Sequence, residues 1–115
     1  MKTLRIFDST LKQDFEVIVG NSAQENWEII DDSHQNDIWF HLEDLPSCHV
    51  ILKTLNNKLK DFNKQTFIHC ASICKVNSKY NFHKNIEVIY TCIKNIKKAE
   101  EVGSVSASYT RSIIL

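Results

Sequence analysis

The chain has 115 residues, of which 43% are hydrophobic and 24% charged, and its formal net charge at pH 7 is zero. This length fits one domain with one core, and the composition excludes a disordered tail. No apolar run approaches the roughly 20 residues of a membrane span, and the start of the chain lacks the apolar core of a signal peptide. We therefore expect one domain over residues 1–115, located in the cytoplasm, or in the host cytoplasm if the chain is viral.

The charge is unevenly divided along the chain. Residues 1–52 carry a formal charge of −7 and residues 53–115 carry +7. A basic surface attracts a phosphate backbone, so the second half is the place to seek nucleic-acid contacts. The alternative is that residues of both halves lie side by side in the folded protein, so that their opposite charges cancel.

The first half of the chain alternates strands with one helix. Segments 3–7 and 15–20 have the pattern of a hairpin. Ser22 and Glu25 have the spacing of a capping box, which predicts a helix from Ala23 to about His34. A strand over 38–42 and a returning strand over 49–52 follow, separated by a turn at Pro46.

The second half starts with a lysine-rich loop in which Lys58 and Lys60 are interpreted as solvated charges. Helical spacing of Phe67, Cys70, Ala71 and Cys74 predicts a helix ending near Val76. A strand over 86–93, extended by 94–98, comes next, and segments 104–108 and 110–115 predict a closing hairpin. The fold class is therefore α+β, a mostly antiparallel sheet with two helices packed on it.

The strand 38–42 and its return contain the most unusual polar cluster. Side chains alternate along a strand, so Asp37, Trp39 and His41 share the side opposite Ile38 and Phe40. The return after Pro46 is expected to bring His49 beside His41. The pattern permits either a satisfied structural cluster or a site that uses the indole and the imidazoles.

Cysteine and histidine spacing does not indicate a metal centre. Cys48, Cys70, Cys74 and Cys92 form no Cys-x-x-Cys pair, and the group His69, Cys70, Cys74 lacks usual zinc-ligand spacing. We expect neither a metal nor another cofactor.

Several spaced segments resemble one family. Asp37-Ile38-Trp39-Phe40-His41 followed by Ser47-Cys48-His49-Val50 resembles the "D-[IL]-W-F-H … [SG]-[SA]-H-V" signature of the NFACT-R domain. Gly20 to Asn26, 70–78, Val88-Ile89-Tyr90-Thr91, 95–98 and 102–105 are similar to further blocks of that family in the same order. The chain is most like small eukaryotic members, without the coiled-coil tail that follows the domain in them.

The resemblance implies an RNA-binding module of the kind found in ribosome-quality-control factors. It implies RNA, either tRNA or rRNA, as the partner, with DNA, a ribosome or another protein as further possibilities. Carried over by position, its signature residues are Asp37, Trp39, His41, Ser47 and His49. Cys48 departs from the small residue usual in the turn.

The expected binding chemistry needs few parts. Trp39 or an imidazole is available to stack an unpaired base, and Asp37 is expected to orient His41 or to accept from a base amine or a 2′-hydroxyl. The cations expected to contact phosphates are Lys75, Lys79, Lys94, Lys97, Lys98 and Arg111.

Two other function classes remain open at this point. A protein-interaction adaptor that docks on a ribosomal or RNA-modification complex fits a net-neutral chain. An enzyme based on Asp37, His41, Asp44 and His49 has suitable acid–base groups, but the sequence contains no activated nucleophile motif and no phosphate-binding glycine loop. We therefore do not expect an enzyme.

Overall fold

The computed structural model describes all 115 residues, as eight strands and two helices. The strands are β1 Lys2–Asp8, β2 Gln13–Gly20, β3 Ile38–Leu42, β4 His49–Leu52, β5 Glu87–Cys92, β6 Ile96–Lys98, β7 Val105–Ala107 and β8 Arg111–Ile114. The helices are α1 Ala23–Asp31 and α2 Lys64–Val76, with short 3₁₀ turns at Leu59–Asp61 and Ile93–Asn95. Neither α1 nor α2 has the length and the apolar composition that a membrane-spanning helix needs.

Six strands form one sheet in the order β1-β2-β4-β3-β5-β8, and every pair in it is antiparallel. Strands β6 and β7 form a separate antiparallel pair. The predicted α+β class with a mostly antiparallel sheet is confirmed. Strands β3 and β4 lie in the middle of the sheet, so the His41 and His49 region is built on strands that are paired on both sides.

Each face of the sheet is covered by different elements. Helix α2 packs on the face that includes Ile38, Phe40 and Leu42, and these residues belong to the larger core cluster. Helix α1 and the β6–β7 pair cover the opposite face, where Trp39 and Ile51 form a smaller cluster with Ile93. We call these the α2 face and the α1 face. Strand β3 is thus covered on both faces, as strands in the middle of a sheet between two layers usually are.

Both helices begin at side-chain caps. Ser22 Oγ accepts from the backbone N–H of Glu25, and Asn63 Oδ1 accepts from that of Gln65. These bonds satisfy N–H groups that have no partner within a helix. Helix α1 ends at Asp31 rather than near His34, because a turn begins there in which Ser33 donates to Ile29 O.

The prediction for the end of the chain is wrong in two respects. Segment 94–98 does not extend β5, because a 3₁₀ turn at Ile93–Asn95 separates them. Strands β7 and β8 do not form a hairpin with each other: β7 pairs with β6, and β8 pairs with β5. The buried Thr91 hydroxyl donates to Ser108 O at 2.9 Å, and Tyr109 has φ 54°, so the chain crosses here from one sheet to the other.

Candidate nucleic-acid interface

The signature residues of β3 and β4 form one cluster of rings on the α1 face. The ring centroids of His41 and His49 lie 4.9 Å apart, so the return of His49 beside His41 is confirmed. Trp39 stacks parallel to His41 at 5.6 Å and meets His49 edge-on, also at 5.6 Å. Alternation along β3 and the antiparallel return of β4 bring these three rings together.

Trp39 is a core side chain. It is 2% exposed, and its indole Nε1–H donates to His49 Nδ1 at 3.0 Å. The indole therefore has no exposed ring face on which a base could stack, contrary to the role expected for it. The bond also fixes the tautomer of His49, because an indole nitrogen only donates and Nδ1 must accept. The proton of neutral His49 is then on Nε2.

His41 has the opposite tautomer. Its Nδ1 lies 2.6 Å from Leu42 O, and because a carbonyl only accepts, Nδ1 carries the proton and Nε2 is an acceptor in the neutral ring. Burial lowers the pKa of His41, although the bond to Leu42 acts in the other direction. The two imidazoles thus present one acceptor and one donor through their Nε2 atoms.

His49 stays neutral over the whole physiological range. Burial, and secondarily the neighbouring His41, lower the pKa of His49 to about 3. Unfolded histidine titrates near pH 6.5. Below that pH the unfolded chain takes up a proton that folded His49 does not accept until about pH 3, so the free energy of unfolding falls as the pH falls.

We expect this difference to cost about 2 kcal/mol of stability between pH 7 and pH 5. The measurement is urea unfolding of the wild type and of His49→Asn at both pH values. Asparagine offers Trp39 an acceptor in a similar position but does not titrate, so the variant should lose much less stability between the two pH values. Equal pH dependence in both proteins would show that His49 is not the titrating group.

The two imidazoles line a cavity of about 390 Å³ between the end of β3 and the strand β7. We call it the histidine pocket. Glu43 and Asp44 are part of its lining, and burial, followed by the charges of Asp44 and Glu87, raises the pKa of Glu43. The pocket therefore combines neutral polar groups with carboxylates and contains no cation in its lining.

Asp37 immediately precedes β3. It does not hydrogen-bond to His41, so the expectation that Asp37 orients this imidazole is wrong. Its carboxylate accepts from the backbone N–H groups of His34 and Thr54 and from Lys53 Nζ at 3.2 Å. Asp37 is 1% exposed. These contacts join the start of β3 to the end of β4, so the geometry describes a structural carboxylate.

Replacing Asp37 by alanine is expected to lower the free energy of unfolding by about 2–4 kcal/mol, because several buried donors lose their acceptor. Asp31→Ala is the matched control, since Asp31 is exposed and its ion pair with Lys98 is worth at most about 1 kcal/mol. Urea unfolding of both variants measures the difference. An unchanged stability in Asp37→Ala would contradict the structural role.

Ser47 and Asn26 hold the turn and the start of β4. Ser47 Oγ accepts from Leu42 N and donates to Cys48 O. Asn26 Oδ1 accepts from the backbone N–H of His49, and a Cβ on Gly20 would lie 2.3 Å from that oxygen. Glycine at position 20 thus permits α1 to approach β4, which explains why Gly20 and Asn26 occur together.

The structure separates the predicted cations into three places. Lys75 and Lys79 lie at and beyond the end of α2, where Lys79 is 5.6 Å from the Tyr80 ring centroid. Lys97 and Lys98 lie on β6, and Lys98 pairs with Asp31 at 2.7 Å while lying over Trp27. Only Lys94 and Arg111 line one cavity together.

That cavity, which we call the basic groove, has a volume of about 530 Å³ and lies on the α2 face. Its charged lining consists of Lys58, Lys60, Lys64, Lys94 and Arg111. All five side chains are exposed. Phe62, Phe67 and Tyr90 supply its aromatic lining, and the rings of Phe67 and Tyr90 stack at 5.4 Å.

The positive charge of the groove is not neutralised by ion pairs. The cations that form ion pairs are the N-terminus, Lys53 and Lys98, and none of them lines the groove. The nearest acidic residue in sequence is Asp61, which accepts from the backbone N–H of Lys58 at 2.8 Å. Lys58 and Lys60, interpreted from sequence as solvated loop charges, are therefore part of a concave basic surface.

No three His, Cys, Asp or Glu side chains are grouped so that they could hold a metal ion. The four cysteines are free. Burial raises the pKa of the Cys70 thiol far above its usual range, so this cysteine is an unreactive core residue.

Comparisons with known proteins agree on one family. The family model described as NFACT protein RNA binding domain matches residues 4–108. Coiled-coil domain-containing protein 25 from Bos taurus and from Mus musculus are each 33% identical over 93 residues, covering 76% of this chain and 43% of theirs. Rqc2 homolog RqcH from Bacillus subtilis is 29% identical over 83 residues, covering 71% of this chain and 14% of its own.

One solved structure is similar over the full chain. It is the C-terminal part of the fibronectin/fibrinogen-binding protein from Streptococcus suis, with a TM-score of 0.82 and 18% identity, and the match covers 100% of this chain and 45% of that one. At this identity the likeness shows the fold alone. The chain spans less than half the length of the curated relatives named above.

Proposed function

Because the chain belongs to the family of NFACT protein RNA binding domains, we propose that it is an RNA-binding module whose basic groove holds the phosphate backbone. The observation that carries this proposal is the convergence of Lys58, Lys60, Lys64, Lys94 and Arg111 on one groove without a paired carboxylate. Cations arranged in this way release counterions when they contact phosphates, which gives affinity with little dependence on sequence.

The groove residues come from three separate parts of the chain. Lys58, Lys60 and Lys64 precede or begin α2, Lys94 follows β5, and Arg111 begins β8. Pairing of Tyr90 with Arg111 places the start of β8 beside the end of β5. The sheet topology therefore assembles the groove, and a folded chain is required for tight binding.

The physiological ligand is proposed to be tRNA or ribosomal RNA, in the cytoplasm. The family description and the likeness to a bacterial Rqc2 homolog support a ligand connected with translation. The chain spans only part of the length of those relatives. For this reason we propose RNA binding alone and none of the other activities of the longer proteins. No catalytic step is assigned to the histidine pocket.

The test is a fluorescence-anisotropy titration of the protein with labelled tRNA, single-stranded RNA and duplex DNA across a salt series. Binding through most of the groove cations predicts micromolar or tighter affinity for RNA at low salt. The logarithm of the association constant should fall with log salt with a slope of about −3 for a single strand. Absence of binding at low salt would contradict the proposal, as would tight binding that does not depend on salt.

A further inference from the structure

The histidine pocket contains a polar group without a protein partner. His49 is 3% exposed, its Nδ1 accepts from Trp39, and its Nε2–H has no hydrogen-bond partner in the protein. No fully enclosed side-chain nitrogen or oxygen lacks a partner, so Nε2 is accessible, and the cavity that His49 lines is the histidine pocket. A nearly buried donor that faces an open cavity is suited to bind a ligand atom.

His41 supplies the complementary group. Because its Nδ1–H is used on Leu42 O, its Nε2 is an acceptor beside the donor of His49, and the two rings are 4.9 Å apart. A ligand that matches them has a donor and an acceptor on neighbouring atoms. The edge of a nucleobase has this pattern.

Charge and size narrow the choice of ligand further. Glu43 and Asp44 line the same pocket, so a phosphate is disfavoured inside it. The volume of about 390 Å³ is near the lower limit of small-molecule cavities. A single neutral base fits these conditions better than a whole nucleotide.

The pocket and the basic groove are adjacent at the β8 edge of the sheet. Thr110 lines the histidine pocket and the next residue, Arg111, lines the groove. Because successive side chains along a strand point to opposite faces, Thr110 and Arg111 face opposite sides of the sheet. Strand β8 is an edge strand, so a ligand can pass from one face to the other around it. Tyr109, 87% exposed, precedes them at this crossing.

We propose that one unpaired base of an RNA strand enters the histidine pocket on the α1 face while phosphates farther along the strand lie in the basic groove on the α2 face, the strand crossing the sheet edge at Thr110 and Arg111. This inference rests on the proposed function and specifies its ligand as single-stranded or locally unpaired RNA. A duplex does not present a free base edge at such a site.

The experiment uses short labelled strands that contain only abasic spacers, and the same strands with one of the four bases at the centre. All carry the same number of phosphates. For the wild type, at least one base should tighten binding about tenfold over the fully abasic strand. His41→Ala removes the acceptor, and Thr110→Leu narrows the exposed mouth without touching the core, so both should reduce this ratio to about one.

Matched controls are His69→Ala and Thr3→Leu, because both residues are exposed and line neither cavity. They should keep the wild-type ratio, and circular dichroism must show that all four variants are folded. The pocket variants should bind the abasic strand with wild-type affinity and salt slope. A base preference that survives in both His41→Ala and Thr110→Leu would overturn the inference.

Two further outcomes separate this inference from the proposed function. Salt-dependent binding of abasic and base-containing strands with equal affinity would overturn the base pocket and leave the groove as the RNA site. No binding of any strand would overturn both. In a parallel titration with a labelled lysine-rich peptide, binding that Thr110→Leu abolishes would assign the pocket to a cationic protein segment instead.

Discussion

Trp39→Ala should lower the free energy of unfolding by about 3–5 kcal/mol, which is a large part of the total stability of a domain this size. Trp39 is 2% exposed and lies in the smaller core cluster with Ile29, Ile51 and Ile93. Its removal leaves a cavity on the α1 face and deprives His49 Nδ1 of its donor. Both effects destabilise the fold before any effect on RNA is considered.

The matched control is Trp27→Ala. Trp27 is only half-buried and its indole donates to Ser104 O near the surface, so we expect a loss well below that of Trp39→Ala. Urea unfolding followed by circular dichroism compares the two variants. If Trp39→Ala kept wild-type stability but lost RNA affinity, the indole would be a base-stacking group and the core assignment would be wrong.

Combined replacement of Lys60, Lys94 and Arg111 by alanine should weaken single-stranded RNA binding roughly 100-fold at low salt. The three residues come from the three parts of the chain that form the basic groove. Loss of three phosphate contacts should also reduce the steepness of the salt dependence by about 2. Because these side chains are exposed, the thermal stability should change little.

The control removes the same charge elsewhere, by combined replacement of Arg5, Lys12 and Lys84, which are exposed and line neither cavity. Anisotropy titrations across a salt series compare the two triple variants. An equal loss in both would show that binding depends on overall charge. Wild-type affinity in the groove variant would move the phosphate contacts to Lys75, Lys79, Lys97 or Lys98.

The sequence predicted the central hairpin correctly because the relevant information is local. Alternation over Ile38–Leu42 and the turn at Pro46 were enough to place His49 beside His41. The same pattern does not show that Trp39 is buried, since burial on the α1 face depends on Ile29 of the preceding helix and on β7, which is distant in sequence. For the same reason the pattern alone does not decide between a structural cluster and a site that uses the indole.

The end of the chain was harder to predict because two short strands can pair in several ways. The break at Ser108 and Tyr109 has the composition of a hairpin turn, but the buried Thr91 hydroxyl binds this segment to β5. That long-range bond and the pairing of β8 with β5, from Glu87–Ile114 to Tyr90–Arg111, decide the topology.

The basic groove was only partly predictable. Charge asymmetry between the halves indicates a basic surface and includes Lys94 and Arg111, but the sequence does not show that Lys58 and Lys60 join them or that Lys64 lies in the same groove. The sequence around a loop lysine does not show which distant residues it approaches, and the shared cavity with Arg111 is visible only in the folded chain.

The most direct test of the central claim is an amide chemical-shift titration of the isotopically labelled protein with unlabelled single-stranded RNA. We expect saturable shifts in residues 58–64, Lys94 and Arg111, with little change in the β1–β2 hairpin at the opposite edge of the sheet. Shifts confined to the end of α2 or to β6, or no shifts at a saturating RNA concentration, would contradict the assignment of the basic groove as the RNA interface.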